Sequence, residues 1–546
     1  MATTLARFGL GMLIGLLGLS TTAHADTYPR QPGVDAWHYV FRLSLSDTDP
    51  AIDGEATVDV RVTQAGVSQV VLDLATPENG KGMTVSRVTL DGASVPFVHD
   101  QHRLRLPLAQ APGAGEHLRF TVAYRGIPAN GLRLLTNKYG EWCAFSENWP
   151  NRAREWLPIV DHPYDKATSE FIVTAPARYQ VVANGLLRET LDLGDGRRRT
   201  HWVQSVPIAS WLNAIGVEQF ALRRLGQVKG VELQTWVAHQ DAEPGREYFE
   251  LPARRSLEFF SERVGPYAYE KLAHVAAAGI TGGTEHASAI FYGEKAVKAE
   301  PATGLVVHET AHQWFGDSVT ESDWDDVWLS EGFATYFTLL YTEHVDGRDA
   351  FVAGLQTSRA RALALEASLP NPRVVHDNLA DMSLVLNRLI YEKGAWVLHM
   401  LRGIVGTEGF WRGIREYYGR YRDGNATTAD FRRVMEEVHG GDLRWFFDQW
   451  LTRARSPSFD GGWRYDAARH EIDIDLRQTQ PGDAYRVPLE FGITVAGDPV
   501  PTMRVERVEM TGTSATFHVA SSTPPQSVTF DPGTWLLAGR STFGPR

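Results

Sequence analysis

Two histidines four residues apart, His308 and His312 in VVHETAHQWFGD (306–317), can grip one metal ion, because side chains at that spacing share one face of a helix. Glu309 sits beside them as a carboxylate that is not itself a ligand. A further acid, Glu331 in WLSEGFATY (328–336), follows His312 after 18 intervening residues. Two imidazoles and one carboxylate leave a position open on a tetrahedral ion, which suits a single zinc ion better than the oxygen-rich shells of magnesium or calcium. Zinc held this way lowers the pKa of bound water and polarises a carbonyl, and Glu309 is placed to act as base towards the water. With 18 His and 66 acidic residues in 546 positions, a random chain carries His-Glu-x-x-His roughly 0.07 times, and about 0.01 times with the later acid fixed. Chance does not account for the pattern.

The elements that hold these groups must be helices with buried faces. Leu305, Val306, Val307, Trp314 and Phe315 surround the first motif with apolar bulk. Ser330 is expected to cap the second helix, which puts Glu331 in its first turn and leaves Phe333, Phe337 and Leu340 to pack. AGITGGTEHASAIFY (278–292) reads as a loop running into a strand, LVLNRLIYEKGAWVLHMLR (384–402) as a helix, and Thr427 or Thr428 as the cap of a helix through Val438.

The rest of the chain supplies the frame. Residues 26–225 carry period-two alternation, as in Tyr39, Phe41, Leu43 and in Leu118, Phe120, Val122, and are expected to form an antiparallel β domain. Helical spacing appears near 240, at Leu257, Phe260 and Val264, and continues to about 452, giving a mostly helical catalytic domain over 226–455. Alternation returns after Pro457, with a hairpin turn at Asp466 to Arg469, so 456–546 reads as a C-terminal β-sandwich. The class is multidomain α+β.

Residues 1–25 have the form of a secretion signal: Arg7, an apolar run from Phe8 to Leu19, and Ala23-His24-Ala25 before Asp26. The expected location is periplasmic or extracellular, with no stable membrane anchor after cleavage. A lone Cys143 excludes an internal disulfide and is expected to pack. A net charge of −12 without a basic run speaks against nucleic acid as a partner. Oligomeric state is not legible.

The ordered set of motifs resembles the gluzincin family of zinc aminopeptidases of the aminopeptidase N and leukotriene hydrolase type, its short three-domain members above all. HETAHQWFGD with WLSEGFATY is similar to that family's zinc site and GGTEH (282–286) to its exopeptidase signature; YEKGAWVLHMLR matches the segment with its catalytic tyrosine. NWPNRAREWLPIVDHPYDKA and FFDQWLTRARSPSF are likewise similar to family segments. The resemblance implies a thermolysin-like catalytic domain and peptide substrates with a free amino terminus. It implies that Tyr391, which the residues alone would place in a core, donates to the oxyanion. It implies that Glu285 pairs with the substrate ammonium beside Gly282 and Gly283, which let a peptide approach the backbone. Glu147 stands where the family often has a substrate-contacting glutamine, and Thr284 and His286 replace its usual Met and Asn. A gluzincin endopeptidase and an inactive peptide-binding homologue are the alternatives.

Overall fold

The computed structural model describes residues 26–298, 302–376, 379–496 and 502–546; the leader expected over 1–25 lies outside the described residues. Alternating strands build an eight-stranded sheet in which Tyr39, Phe41 and Leu43 of Val34–Ser44, Val58 and Val60 of Ile52–Val62, and Phe120 and Val122 of His117–Ile127 are buried. Its neighbours run antiparallel except Val34–Ser44, which lies parallel to Lys166–Pro176. A three-stranded and a four-stranded sheet complete this part, and Cys143 is fully buried in strand Trp142–Ser146.

A mixed five-stranded sheet follows, in the order Phe220–Val228, Val231–Ala238, Lys271–Ala277, Ala289–Gly293, Gly283–Thr284. Its first strand, Phe220–Val228, crosses the boundary expected at 225/226 and pairs with Val231–Ala238 through a bulge between Arg224 and Gln227. The sheet is a shared wall. Ala273, Val275, Ala289 and Phe291 face the N-terminal core, whereas Leu272, Ala276, Ile290 and Tyr292 face the helices.

Eight α-helices lie among the described residues: α1 (Ala242–Arg263), α2 (Thr303–His312), α3 (Trp328–Asp346), α4 (Arg348–Ser368), α5 (Leu389–Val405), α6 (Thr407–Tyr421), α7 (Thr428–His439) and α8 (Arg444–Thr452). Helix α3 packs between α2 and α5. It meets α5 at Gly332 and Gly394, where a Cβ on either residue would lie 3.0 Å from the other's Cα.

Three helix starts are informative. Ser330 is not the cap of α3: the helix begins at Trp328, after a 3-10 turn Trp324–Asp326 capped by the Asp323 carboxylate, which accepts from Asp325 N at 3.1 Å. The helix expected from 384 begins at Leu389, where Asn387 Oδ1 accepts the Leu389 N–H at 3.1 Å; Met382–Leu384 is a separate single turn. Thr427, not Thr428, caps α7, in a capping box with Asp430.

At the C-terminus a four-stranded and a three-stranded sheet face each other, with Phe459 and Phe543 of one interleaved with Phe491 and Phe530 of the other at ring separations of 5.4–5.9 Å. The hairpin turn forms at Asp466, whose Oδ1 accepts from Ala468 N and Arg469 N. No helix among the described residues is long and apolar enough to cross a membrane.

Candidate active site

His308 and His312 close α2 on the face turned towards α3, and Glu331 in the first turn of α3 meets them. His308 Nε2 and His312 Nε2 are 3.2 Å apart, and Glu331 Oε2 lies 3.4 Å from the first and 3.3 Å from the second. Glu331 Oε2 receives no hydrogen bond. Burial alone would raise the Glu331 carboxyl, yet the imidazoles of His312 and His308 outweigh it and hold it low, so it is ionised; burial also holds His308 below its ordinary value. Three ligand atoms converging within 4.8 Å, two of them ring nitrogens, form a donor set fitted to zinc.

What orients His312 is on its other nitrogen. Nδ1 lies 3.2 Å from Phe315 O and 3.0 Å from Ser330 Oγ, and a proton on Nδ1 satisfies the carbonyl and leaves Nε2 free for a metal. Ser330 therefore works as a support for the ligand. Gly316, at φ +115°, is required at the bend, since a Cβ there would overlap the Ser330 hydroxyl.

Tyr391 reaches the same centre from α5, two residues into the helix and one turn before Gly394. The close approach of α5 to α3 brings its Oη to donate to Glu331 Oε1 at 2.8 Å. Burial, followed by the negative charge of Glu331, pushes the phenol well above its ordinary value, so it keeps its proton.

Glu285 and Glu309 form the other half of the site. Their carboxylate oxygens lie with a His312 nitrogen within 4.8 Å of one another, and both side chains are buried. Glu285 Oε1 receives no hydrogen bond. Burial and then the Glu285 charge raise the Glu309 carboxyl; burial raises Glu285, opposed by His312 and aided by Glu331. Gly283 is needed here, because a Cβ would overlap the Glu309 carboxylate, and Gly282 supplies φ +77°.

Glu147 accepts from Arg133 Nη2 at 3.1 Å and pairs with Arg152, while its charge raises Glu285. Burial raises Glu147 itself, and the two guanidiniums oppose this in part. His286 is fully buried and pushed down to about 4 by burial, a neutral ring against Phe291 at 4.9 Å. Thr284 pairs with Phe291 in the sheet.

Sequence reasoning missed Gln313. Its Nε2 donates to Glu285 O at 3.0 Å and to Asp317 Oδ2 at 2.6 Å, and its Oε1 accepts from Ser288 N at 2.9 Å and Tyr267 Oη at 3.0 Å, so the residue after a metal ligand clamps the GGTEH loop. A polar side chain between His312 and Trp314, in an otherwise apolar surround, was the available signal.

Comparison with known proteins agrees with this geometry. The peptidase family M1 domain matches residues 251–450 and the peptidase M1 N-terminal domain residues 36–212. The chain is 26% identical to glutamyl aminopeptidase of Mus musculus over 366 residues, covering 64% of this chain and 38% of that protein. It is 26% identical to leucyl aminopeptidase of Saccharolobus solfataricus over 400 residues, 69% of this chain and 49% of that one. It thus spans half or less of these two relatives' length. The crystal structure of an M1 zinc metallopeptidase from Deinococcus radiodurans superposes with a TM-score of 0.68 at 26% identity, covering 78% of this chain and 95% of that chain. With both family domains matched in order and a zinc donor set at the junction of α2 and α3, the chain belongs to peptidase family M1.

Proposed function

We propose that this protein is a zinc aminopeptidase that hydrolyses the first peptide bond of oligopeptides with a free amino terminus. Zinc, when bound by His308, His312 and Glu331, supplies a Lewis acid that activates water and polarises the scissile carbonyl. Glu309 takes the proton from the attacking water on its carboxylate and passes it to the leaving amine nitrogen. Tyr391 Oη turns from Glu331 to donate to the carbonyl oxygen as that oxygen gains charge.

The observation that carries the reading is Glu285, a buried carboxylate beside Glu309 and His312 whose Oε1 has no hydrogen-bond donor. A substrate ammonium supplies both the donor and the missing positive charge. Held there, a peptide presents only its first bond to Glu309. Glu147, already engaged by Arg133 and Arg152, shapes the space around the first residue rather than competing for its ammonium. The names of the relatives support the same activity, and the leader motif supports export to the periplasm or beyond.

The test is a panel of aminoacyl chromogenic amides and short peptides, free or N-acetylated, with and without a zinc chelator. Turnover of free forms that the chelator abolishes is expected. Internal cleavage of acetylated peptides at equal rate would replace the reading with an endopeptidase.

A further inference from the structure

Asp26, which follows the expected cleavage point, is built into the fold. Its Oδ2 lies 2.5 Å from His162 Nε2, its Oδ1 accepts from Tyr28 N at 2.9 Å, and its main-chain nitrogen donates to Asp323 Oδ2 at 3.4 Å. The residues after it are tied down in turn. Tyr28 stacks on His162 with ring centroids 4.6 Å apart and donates to Asp73 at 2.6 Å; Arg30 Nη2 reaches Asp323 Oδ2 at 3.0 Å and Ser322 O at 2.8 Å; Gln31 exchanges two hydrogen bonds with the Val71 backbone. The segment closes the seam between the N-terminal sheets and the turn before α3.

Asp323 connects that seam to the metal site. Its other oxygen caps the 3-10 turn Trp324–Asp326, which runs directly into α3 and so sets the first turn that carries Glu331. In an uncleaved chain Arg30 is, among the described residues, the one fixed positive charge paired across the seam. Asp26 and Asp323 bring two negative charges and Arg30 one fixed positive charge, and His162 adds another only when protonated.

We propose that hydrolysis of the Ala25–Asp26 bond turns the Asp26 nitrogen into an ammonium that pairs with Asp323, so that the new amino terminus locks the turn leading into α3. In that step water adds across the peptide bond, an exporting signal peptidase being the catalyst; the carboxylate leaves on Ala25 and the ammonium stays on Asp26. The nitrogen then carries a full charge and three hydrogens where an amide has one N–H, and the interaction with Asp323 changes from a long neutral–ion contact to a buried ion pair. A terminus held this way is also out of reach of aminopeptidases, other copies of this chain included. The proposal rests on the export reading for its cleavage point and on described residues for its geometry.

The experiment releases the zinc-loaded chain from a cleavable fusion in two forms, one beginning at Asp26 and one with a single glycine before Asp26, each with and without Asp323→Asn. The Asp26-first form is expected to melt higher by about 2 °C or more, and the difference to vanish in Asp323→Asn. Independently, its α-amine should resist acylation at neutral pH in the native state by 10-fold or more and react on unfolding, a readout that does not need the variant to fold. Equal melting of the two forms, or native acylation at the rate of an exposed amine, overturns the lock. The intact mass of the exported protein separates the two readings: a first residue other than Asp26 overturns the cleavage point, and with it the lock in the cell, whatever the melting experiment gives.

Discussion

Two clusters of buried charge in this molecule have opposite bookkeeping. In the N-terminal half, Asp73 and Asp161 lie beside two guanidiniums: Arg154 Nε donates to Asp161 at 2.9 Å and its Nη1 is 3.7 Å from Asp73, while Arg103 Nε is 3.2 Å from Asp73. Ser210 and Tyr28 donate to the remaining oxygens at 2.8 and 2.6 Å. At the metal site three carboxylates, Glu285, Glu309 and Glu331, are gathered with two imidazoles, and among the described residues none of the three forms an ion pair with lysine or arginine. The first cluster is paired with arginine and holds segments together. The second is short of positive charge; its His308–His312–Glu331 set is fitted to zinc, and under the proposed function a substrate ammonium supplies the other cation. At the metal site the acids without a basic partner are those that ligands are proposed to complete, whereas Asp73 and Asp161, paired with arginine, form a joint.

The largest effect should come from opening the paired cluster. Arg154→Met leaves Asp73 and Asp161 without their shared cation, and a loss of about 3–5 kcal/mol of stability is expected in denaturant unfolding, with zinc content and turnover per folded molecule little changed. A loss under about 1 kcal/mol would remove the distinction between the two clusters. Glu309→Gln, at the open cluster, should retain zinc and lower turnover by about 10² or more, because it removes a base and adds no strain. Tyr391→Phe should lose a similar factor, mostly in kcat, since its donation to an oxyanion belongs to the transition state. Near-normal kcat in the Phe variant would leave Tyr391 as a support for Glu331 only. Glu285→Ala comes next, with about 10-fold to 150-fold lost in kcat/KM on free-amine substrates, zinc unchanged, and reduced discrimination against acetylated ones.

The parts of the site legible in the sequence are those set by local helical geometry. The spacing of His308 and His312 needs one helix face, and Glu331 needs only a second helix start. Ser330 does not cap α3, because the start of the helix is governed by the preceding turn and by Asp323, which local cap rules do not weigh against a serine two residues on. Gln313 could not be assigned partners, since Glu285 and Ser288 reach it through the five-stranded sheet. Arg133 meets Glu147 because strands Leu132–Thr136 and Trp142–Ser146 pair with Arg133 opposite Phe145, a register no periodicity discloses. The position of Tyr391 depends on Gly332 meeting Gly394 across two helices, and on residues alone a tyrosine in so apolar a helix reads as core. The first strand of the catalytic sheet escaped because its burial does not alternate and its pairing shifts register between Arg224 and Gln227.

The smallest effect tests the same distinction with its sign reversed. In the zinc-free protein Glu285 is raised by burial, with Glu331 adding to the shift and His312 opposing it, so its ionised form costs stability that a neutral side chain would not. A group with a raised folded pKa contributes most below its unfolded value and loses that contribution as the pH climbs through the folded one; near neutral pH Glu285 is therefore a net burden on the metal-free fold. Glu285→Gln keeps the shape, and its amide can donate to the adjacent Glu309 carboxylate. Metal-free Glu285→Gln is thus expected to be more stable than the metal-free wild type by about 1 kcal/mol at neutral pH, with the gap narrowing as the pH is lowered towards 4, while catalysis on free-amine substrates falls. Paired denaturation curves at the two pH values, taken in chelator, make the measurement. A destabilised Gln variant would mean that the Glu285 carboxylate already has the partner that the open cluster is argued to lack, and the ammonium would need another anchor.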